Sequence, residues 1–186
     1  RDLHSRVHSF PTRRSSDLIA PIAAELDAKG TFPLETIREM GQLGLMGIEV
    51  PAEYGGAGMD PVAYALAMIE IGAADTAHST IMSVNNSLYC NGILQHGSEE
   101  QKQKYVRAIA SGEHIGAYAL TEPQSGSDAS AMHTQATKNA AGDWVINGKH
   151  SWITSGPVAR YTVLFATTAP GIGAKGISAF IIGPSR

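Results

Sequence analysis

The sequence predicts an α+β chain in which a helical half precedes a sheet-forming half, and three observations carry that reading. Apolar residues recur three and four apart from Leu18 to about Gly112, the spacing of helices with one buried face. After Gly112 the period falls to two, in IGAYALT, AMHTQATK, WVI, KHSWIT, YTVLFATT and KGISAFII, runs rich in the β-branched and aromatic residues of strands. Composition is that of a globular core, with 43% hydrophobic and 17% charged residues, which excludes wholesale disorder. No apolar run approaches the roughly 20 residues that span a bilayer. A net charge of -3 provides no basic surplus for neutralising nucleic-acid phosphates. Cys90 stands alone, so neither an intrachain disulfide nor a cysteine metal cluster is expected, and a reducing compartment is the simplest setting.

Residues 1–17, RDLHSRVHSFPTRRSSD, carry a net charge of +2 against -5 for the remainder. Such an Arg- and Ser-rich stretch resembles a mitochondrial transit peptide, and the string also resembles translated sequencing-adapter read-through. Either way it is expected to be a disordered leader outside the fold. The helical domain is then expected over residues 18–113, with five helices. Asp17 is placed to cap LIAPIAAELDAK, which stops at Gly30. Pro33 suits a first turn ahead of Leu34, Ile37 and Met40, which share a face. Asp60 and Pro61 open VAYALAMIEIG, and STIMSVNNSLYCNGILQH closes at Gly97. Ser98 and Gln101 have the spacing of a capping box for EEQKQKYVRAIAS. Between the second and third helices, Gly55, Gly56 and Gly58 mark a loop with positive φ, and no strand precedes it as a nucleotide-binding loop would need.

The sheet domain is expected over residues 114–186. Asn147-Gly148, between WVI and KHSWIT, is the strongest hairpin signal in the chain, because a type I′ turn needs positive φ at both central residues. No helix alternates with these strands, so a Rossmann-like parallel sheet is disfavoured. A sheet ending near Arg186 would leave unpaired edges, so the chain is expected to be truncated.

The stretch Tyr118 to Asp128, YALTEPQSGSD, resembles the first signature of the acyl-CoA dehydrogenase family, and Trp152-Ile153-Thr154 resembles its second flavin-contacting strand. The resemblance runs from about Leu18 to the C-terminus through GLMGIEVPAEYGGAGMD, IMSVNNSLYCNGILQHGSEEQKQKYV and KGISAFII, and is greatest for the short-chain, butyryl-type members. It implies a helical N-terminal domain, an antiparallel, β-barrel-like middle domain and a C-terminal helical domain, of which the last is absent here and the middle one partial. It further implies FAD as cofactor, a short-chain acyl-CoA as substrate and a trans-2-enoyl-CoA as product. Electrons would pass to electron-transfer flavoprotein. The parent would be a homotetramer of the bacterial cytoplasm or mitochondrial matrix. Rival readings are an acyl-CoA oxidase or flavin monooxygenase of the same superfamily, or a non-catalytic helical interaction module.

An isoalloxazine ring is a flat plate with a polar edge, so its site needs an apolar wall and a few aimed donors. By the resemblance, Thr154 lies near flavin N5 and Thr121 near the pyrimidine edge, although threonine is also common in strands for its β-propensity alone. Trp152 would cover a face of the ring, or be ordinary core. Tyr118, Leu120 and Ile153 would offer wall and main-chain contacts. Ser127, after Gly126 in a loop, would touch both cofactor and substrate; the plain alternative is a loop cap, with Asp128 satisfying nearby amides. Glu122 is the only acid between Thr121 and Ser127, yet by the resemblance the catalytic base is a Glu of the absent C-terminal domain. No catalytic residue is therefore assigned, Glu122 being expected to fix its loop through backbone hydrogen bonds and the chain alone to be inactive. Neither GxSxG nor HExxH occurs, so a serine nucleophile and a metal site are not expected. Asn85 and Asn86 would either narrow the acyl tunnel or pair with backbone carbonyls.

Overall fold

The computed structural model describes residues 12–184, with side chains from residue 16 onward. The chain divides into two compact units, one ending at Ile115 and the other beginning at Gly116.

The first unit holds α1 (Thr12–Lys29), α2 (Leu34–Gln42), α3 (Pro61–Ala74), α4 (Thr76–Ser83), α5 (Asn91–His96), α6 (Glu99–Gln101) and α7 (Arg107–Ala110). A π-helical stretch, Val84–Cys90, joins α4 to α5, and a second, Lys102–Val106, joins α6 to α7. The two longest expected helices are thus continuous paths wound more widely in the middle. The local signals at their starts act as the sequence suggests. The Asp60 carboxylate accepts from Ala63 N at 2.9 Å with Pro61 in the first turn. Ser98 and Gln101 exchange backbone-to-side-chain bonds of 3.2 and 2.9 Å. Asp75 alone separates α3 from α4: its N–H donates to Ile71 O, and its carboxylate accepts from His78 N and pairs with the His78 ring at 2.5 Å. Three expectations need correction. Pro33 sits one residue earlier, at the N-cap of α2. The first helix starts at Thr12, so Asp17 lies inside it and caps nothing, because TRRSSD contains no breaker. Of the disordered leader expected over residues 1–17, residues 12–17 form the start of this helix, and residues 1–11 lie outside the described residues.

Ile37, Met40, Leu45, Met46, Ile71 and Met82 are fully buried in one cluster. Asn85 and Asn86 are buried beside it, and both pair with backbone. Asn86 accepts from Ile48 N at 2.7 Å and donates to Leu45 O and Met82 O, each at 2.9 Å. Asn85 donates to Met46 O at 2.7 Å. Together they satisfy Leu45 O, Met46 O and Ile48 N, buried backbone groups at the turn Leu45–Gly47.

In the second unit, β4 (Tyr161–Thr167) is central. It runs parallel to β1 (Gly116–Ala119), from Gly116↔Tyr161 to Ala119↔Leu164, and antiparallel to β5 (Ile177–Ile182), from Thr162↔Ile182 to Thr167↔Ile177. β2 (Gln135–Lys138) meets it in parallel at the single pair Gln135↔Thr167, and β3 (Trp144–Asn147) pairs antiparallel with β2. The sheet is therefore open and partly parallel, not an antiparallel barrel. The long excursion between β1 and β4 lets the chain re-enter the sheet in the same direction, as parallel pairing requires.

The hairpin lies elsewhere than expected. It turns at residues 139–143, where the Asn139 side chain accepts from Ala141 N and Asp143 N at 2.9 Å each and Gly142 has φ +88. Gly148 is needed for closeness: a Cβ there would lie 2.1 Å from Thr134 Oγ1. KHSWIT forms no strand, because Trp152 and Ser155 have φ of 61 and 63 and break the extended backbone.

Candidate functional site

The site grows out of the end of β1. Tyr118 is half-buried, its ring tilted against Phe165 at 5.0 Å, and Leu120 and Thr121 follow, also half-buried. The chain then folds back on itself, Glu122 N donating to Ser125 O at 3.0 Å and Ser125 N to Glu122 O at 3.1 Å, with Pro123 and Gln124 at the corner. Ser125 is buried and its hydroxyl donates to Asp128 O at 2.7 Å. Gly126, Ser127 and Asp128 are exposed, and Asp128 caps the next turn by accepting from Ser130 N at 3.1 Å. Ser127 thus stands at an open corner: beside it, a Cβ on Gly126 would meet nothing within 4 Å.

Glu122 is the most buried acid of this unit, at 3% exposure. Its Oε1 accepts from Thr134 N at 2.7 Å, and its Oε2 accepts from His133 N at 2.7 Å and from the Gln124 amide. Burial by itself pushes the carboxyl up, but the Thr134 side chain, the two backbone N–H groups and Gln124 outweigh it and hold Glu122 below the usual carboxylate range. With both oxygens occupied, this acid is poorly disposed to take a proton from a ligand.

The second motif lies beside the first, since Ser151 N donates to Thr121 O at 2.9 Å. From that anchor Trp152 projects outward, 91% exposed on a left-handed backbone; it is not core. Ile153 and Thr154 are half-buried. Left-handed backbone at a non-glycine residue costs on the order of 1–2 kcal/mol and concentrates at ligand-binding loops. Sequence reasoning missed the groups around this turn. Ser155 is buried with an unpartnered hydroxyl, both nitrogens of His150 are buried without partners, and the Thr134 hydroxyl, which also steadies the Glu122 carboxylate, sits against Gly148. Only the glycine in Asn147-Gly148 hinted at such crowding. A cleft of about 250 Å³ in the same unit is lined by Ser130, His133, Thr167 and Ile177 among others, and by none of the motif residues.

Comparison with known proteins bears on this geometry. Residues 11–113 match the family model described as acyl-CoA dehydrogenase, N-terminal domain, and residues 117–186 match acyl-CoA dehydrogenase, middle domain. An acyl-CoA dehydrogenase of Bacillus subtilis is 49% identical over 164 residues, 88% of this chain and 43% of the relative. The human mitochondrial short-chain specific acyl-CoA dehydrogenase is 50% identical over 163 residues, 87% of this chain and 39% of the relative. The chain thus spans about two fifths of the length of these curated relatives. Among solved structures, butyryl-CoA dehydrogenase from Megasphaera elsdenii superposes with a TM-score of 0.90 at 35% identity, covering 98% of this chain and 49% of that one. A Mycobacterium smegmatis glutaryl-CoA dehydrogenase in complex with FADH2 gives 0.87 at 34% identity, covering 98% and 46%. With both family models matched in sequence order and the fold shared with solved members, the chain belongs to the acyl-CoA dehydrogenase family.

Proposed function

We propose that this chain supplies part of the FAD site of a short-chain acyl-CoA dehydrogenase, which converts a short acyl-CoA to its trans-2-enoyl-CoA and passes electrons to electron-transfer flavoprotein from a homotetramer. The observation that carries the reading is Trp152, a large apolar ring held almost wholly in solvent on a costly left-handed backbone beside Thr121. A flat ring system stacked on it would recover that exposed area. The residues suit a flavin in two further respects. A buried, unpartnered hydroxyl at Ser155 lies in the same turn, and the open corner at Gly126 and Ser127 admits a phosphate or thioester closely.

When bound, FAD supplies the acceptor for the substrate's β-hydride. In this reading Trp152 covers one face of the ring, with Tyr118, Leu120 and Ile153 as wall and main-chain contacts. Thr154 would donate to the ring where reduction adds charge, Thr121 would donate to its polar edge, and Ser127 would contact both cofactor and thioester. Glu122, whose two oxygens already accept from Thr134 N, His133 N and Gln124, is not assigned the α-proton.

The reading is tested by adding FAD and butyryl-CoA to the 186-residue chain with an electron-accepting dye. Flavin fluorescence is expected to be quenched weakly by wild type and not by Trp152→Ala. Bound flavin should be lost on gel filtration, and no turnover should exceed a no-protein blank. Equal quenching by both proteins would remove Trp152 from the site, and sustained turnover would mean that a base lies within these residues, Glu122 first.

A further inference from the structure

Two neighbouring N–H groups of an extended strand point to opposite sides. Those of His133 and Thr134 instead converge on the one carboxylate of Glu122, each at 2.7 Å. The backbone just before β2 is therefore bent around Glu122 into a small anion-binding concavity, and regular pairing starts only at Gln135. Each neighbour of that bend is tied to a different segment. Thr134 O accepts from Thr167 N at 2.8 Å at the end of β4, and Thr134 Oγ1 lies where Gly148 passes. On the other side of the carboxylate, Thr121 O holds Ser151 N at 2.9 Å. Glu122 thus ties the segment that presents Thr121 to the His133–Thr134 bend, against which Gly148 of the Trp152 segment passes.

We propose that Glu122 is a positioning residue: by gripping the N–H groups of His133 and Thr134 it sets the relative placement of the Thr121 turn and the Ser151–Thr154 turn, and through them the flavin contacts. The flavin part of this rests on the function proposed above. Both oxygens are needed, because two backbone donors and the Gln124 amide divide between them. A glutamine of the same shape accepts through one atom only, and turns an NH2 toward an N–H. Protonation of the carboxyl would do the same.

The test is made first on the flavin-free chain, by amide hydrogen exchange. In Glu122→Gln, exchange at His133, Thr134 and also at Ser151 should accelerate by about tenfold, the scale of one hydrogen bond between folded groups. The helical unit should keep wild-type rates, and Thr137→Ala on the exposed side of β2 should change none of them. FAD quenching should weaken by a similar factor. Wild-type exchange at Ser151 in Glu122→Gln would show that the side chain merely fills space, and would overturn the proposal. Should Glu122→Gln fail to fold, the Asp128→Asn chain is titrated by NMR, which leaves Glu122 as the carboxylate of the turn. The Ser151 and Trp152 amide shifts must then follow the acid-side midpoint of the His133 and Thr134 amides, and separate midpoints would overturn the proposal equally. If wild type takes up no FAD, the flavin reading fails while the exchange result still decides the role of Glu122.

Discussion

Replacing Asn86 by Ala tests how the helical unit holds its interior turn. The side chain is 4% exposed and makes three bonds to backbone, at 2.7 Å from Ile48 N and 2.9 Å to Leu45 O and Met82 O. Truncation leaves the Ile48 N–H buried without this acceptor, at about 1–3 kcal/mol, and each carbonyl, with its second lone pair, loses less. Adding the void left by the amide gives about 3 kcal/mol, a large part of the roughly 5–15 kcal/mol that keeps a domain folded. For a unit of this size the melting point should fall by about 12–24 °C. Urea unfolding followed by far-UV circular dichroism should show the loss as a lower midpoint at unchanged slope. Asn86→Asp should be worse than Ala at neutral pH, since a buried carboxylate would face two carbonyls, and should recover as acid protonates it. An Ala variant within about 1 kcal/mol of wild type would refute the claim that these bonds hold the turn.

Gly148→Ala places a Cβ 2.1 Å from Thr134 Oγ1 and 2.6 Å from its Cα. Thr134 is fixed through both its N and its O, so the sheet unit should lose about 2 kcal/mol or more in denaturant unfolding. Trp152→Asn keeps a residue tolerant of positive φ and forfeits no buried area, so the flavin-free chain should gain roughly 0.5–1 kcal/mol while flavin quenching disappears. Burial pushes Asp75 up, but bonds from the His78 ring and from the His78 and Ala77 N–H groups prevail and hold it below its ordinary value. Its contribution is therefore full above the ordinary carboxylate range and is lost as pH falls through the depressed folded value. Asp75→Asn, which still caps α4, should flatten that acid limb in pH-dependent unfolding of the helical unit.

What the sequence discloses and what it hides separate along the range of the interactions. Caps are local, so Asp60 and the Ser98–Gln101 box stand where their neighbours in sequence put them. The same local logic misplaces the hairpin, because Gly148 answers to Thr134, fourteen positions away, and not to its own turn. Parallel pairing of β1 with β4 joins residues 45 apart, which a period of two cannot reveal. Asn85 and Asn86 were open between two roles until the backbone groups of residues 45–48 appeared beside them. The motif residues could be named from the sequence. The left-handed backbone at Trp152 and Ser155 could not, since neither residue type announces it.

The β2–β3 hairpin joins the rest of its sheet through the single pair Gln135↔Thr167, and among the described residues β3 pairs with β2 alone. Its hydrogen-bonded root is the segment that Glu122 holds, and next to its turn the Trp144 ring meets Phe180 of β5 edge-on at 5.4 Å. Load applied at the turn, by an inserted sequence, a tag or a protease cutting near Gly142, is therefore shared between that ring contact and the root that leads to the signature loop. The turn beyond Trp144 is consequently a place where the chain can be lengthened or marked cheaply, whereas a one-residue change at the root would be felt in the signature loop.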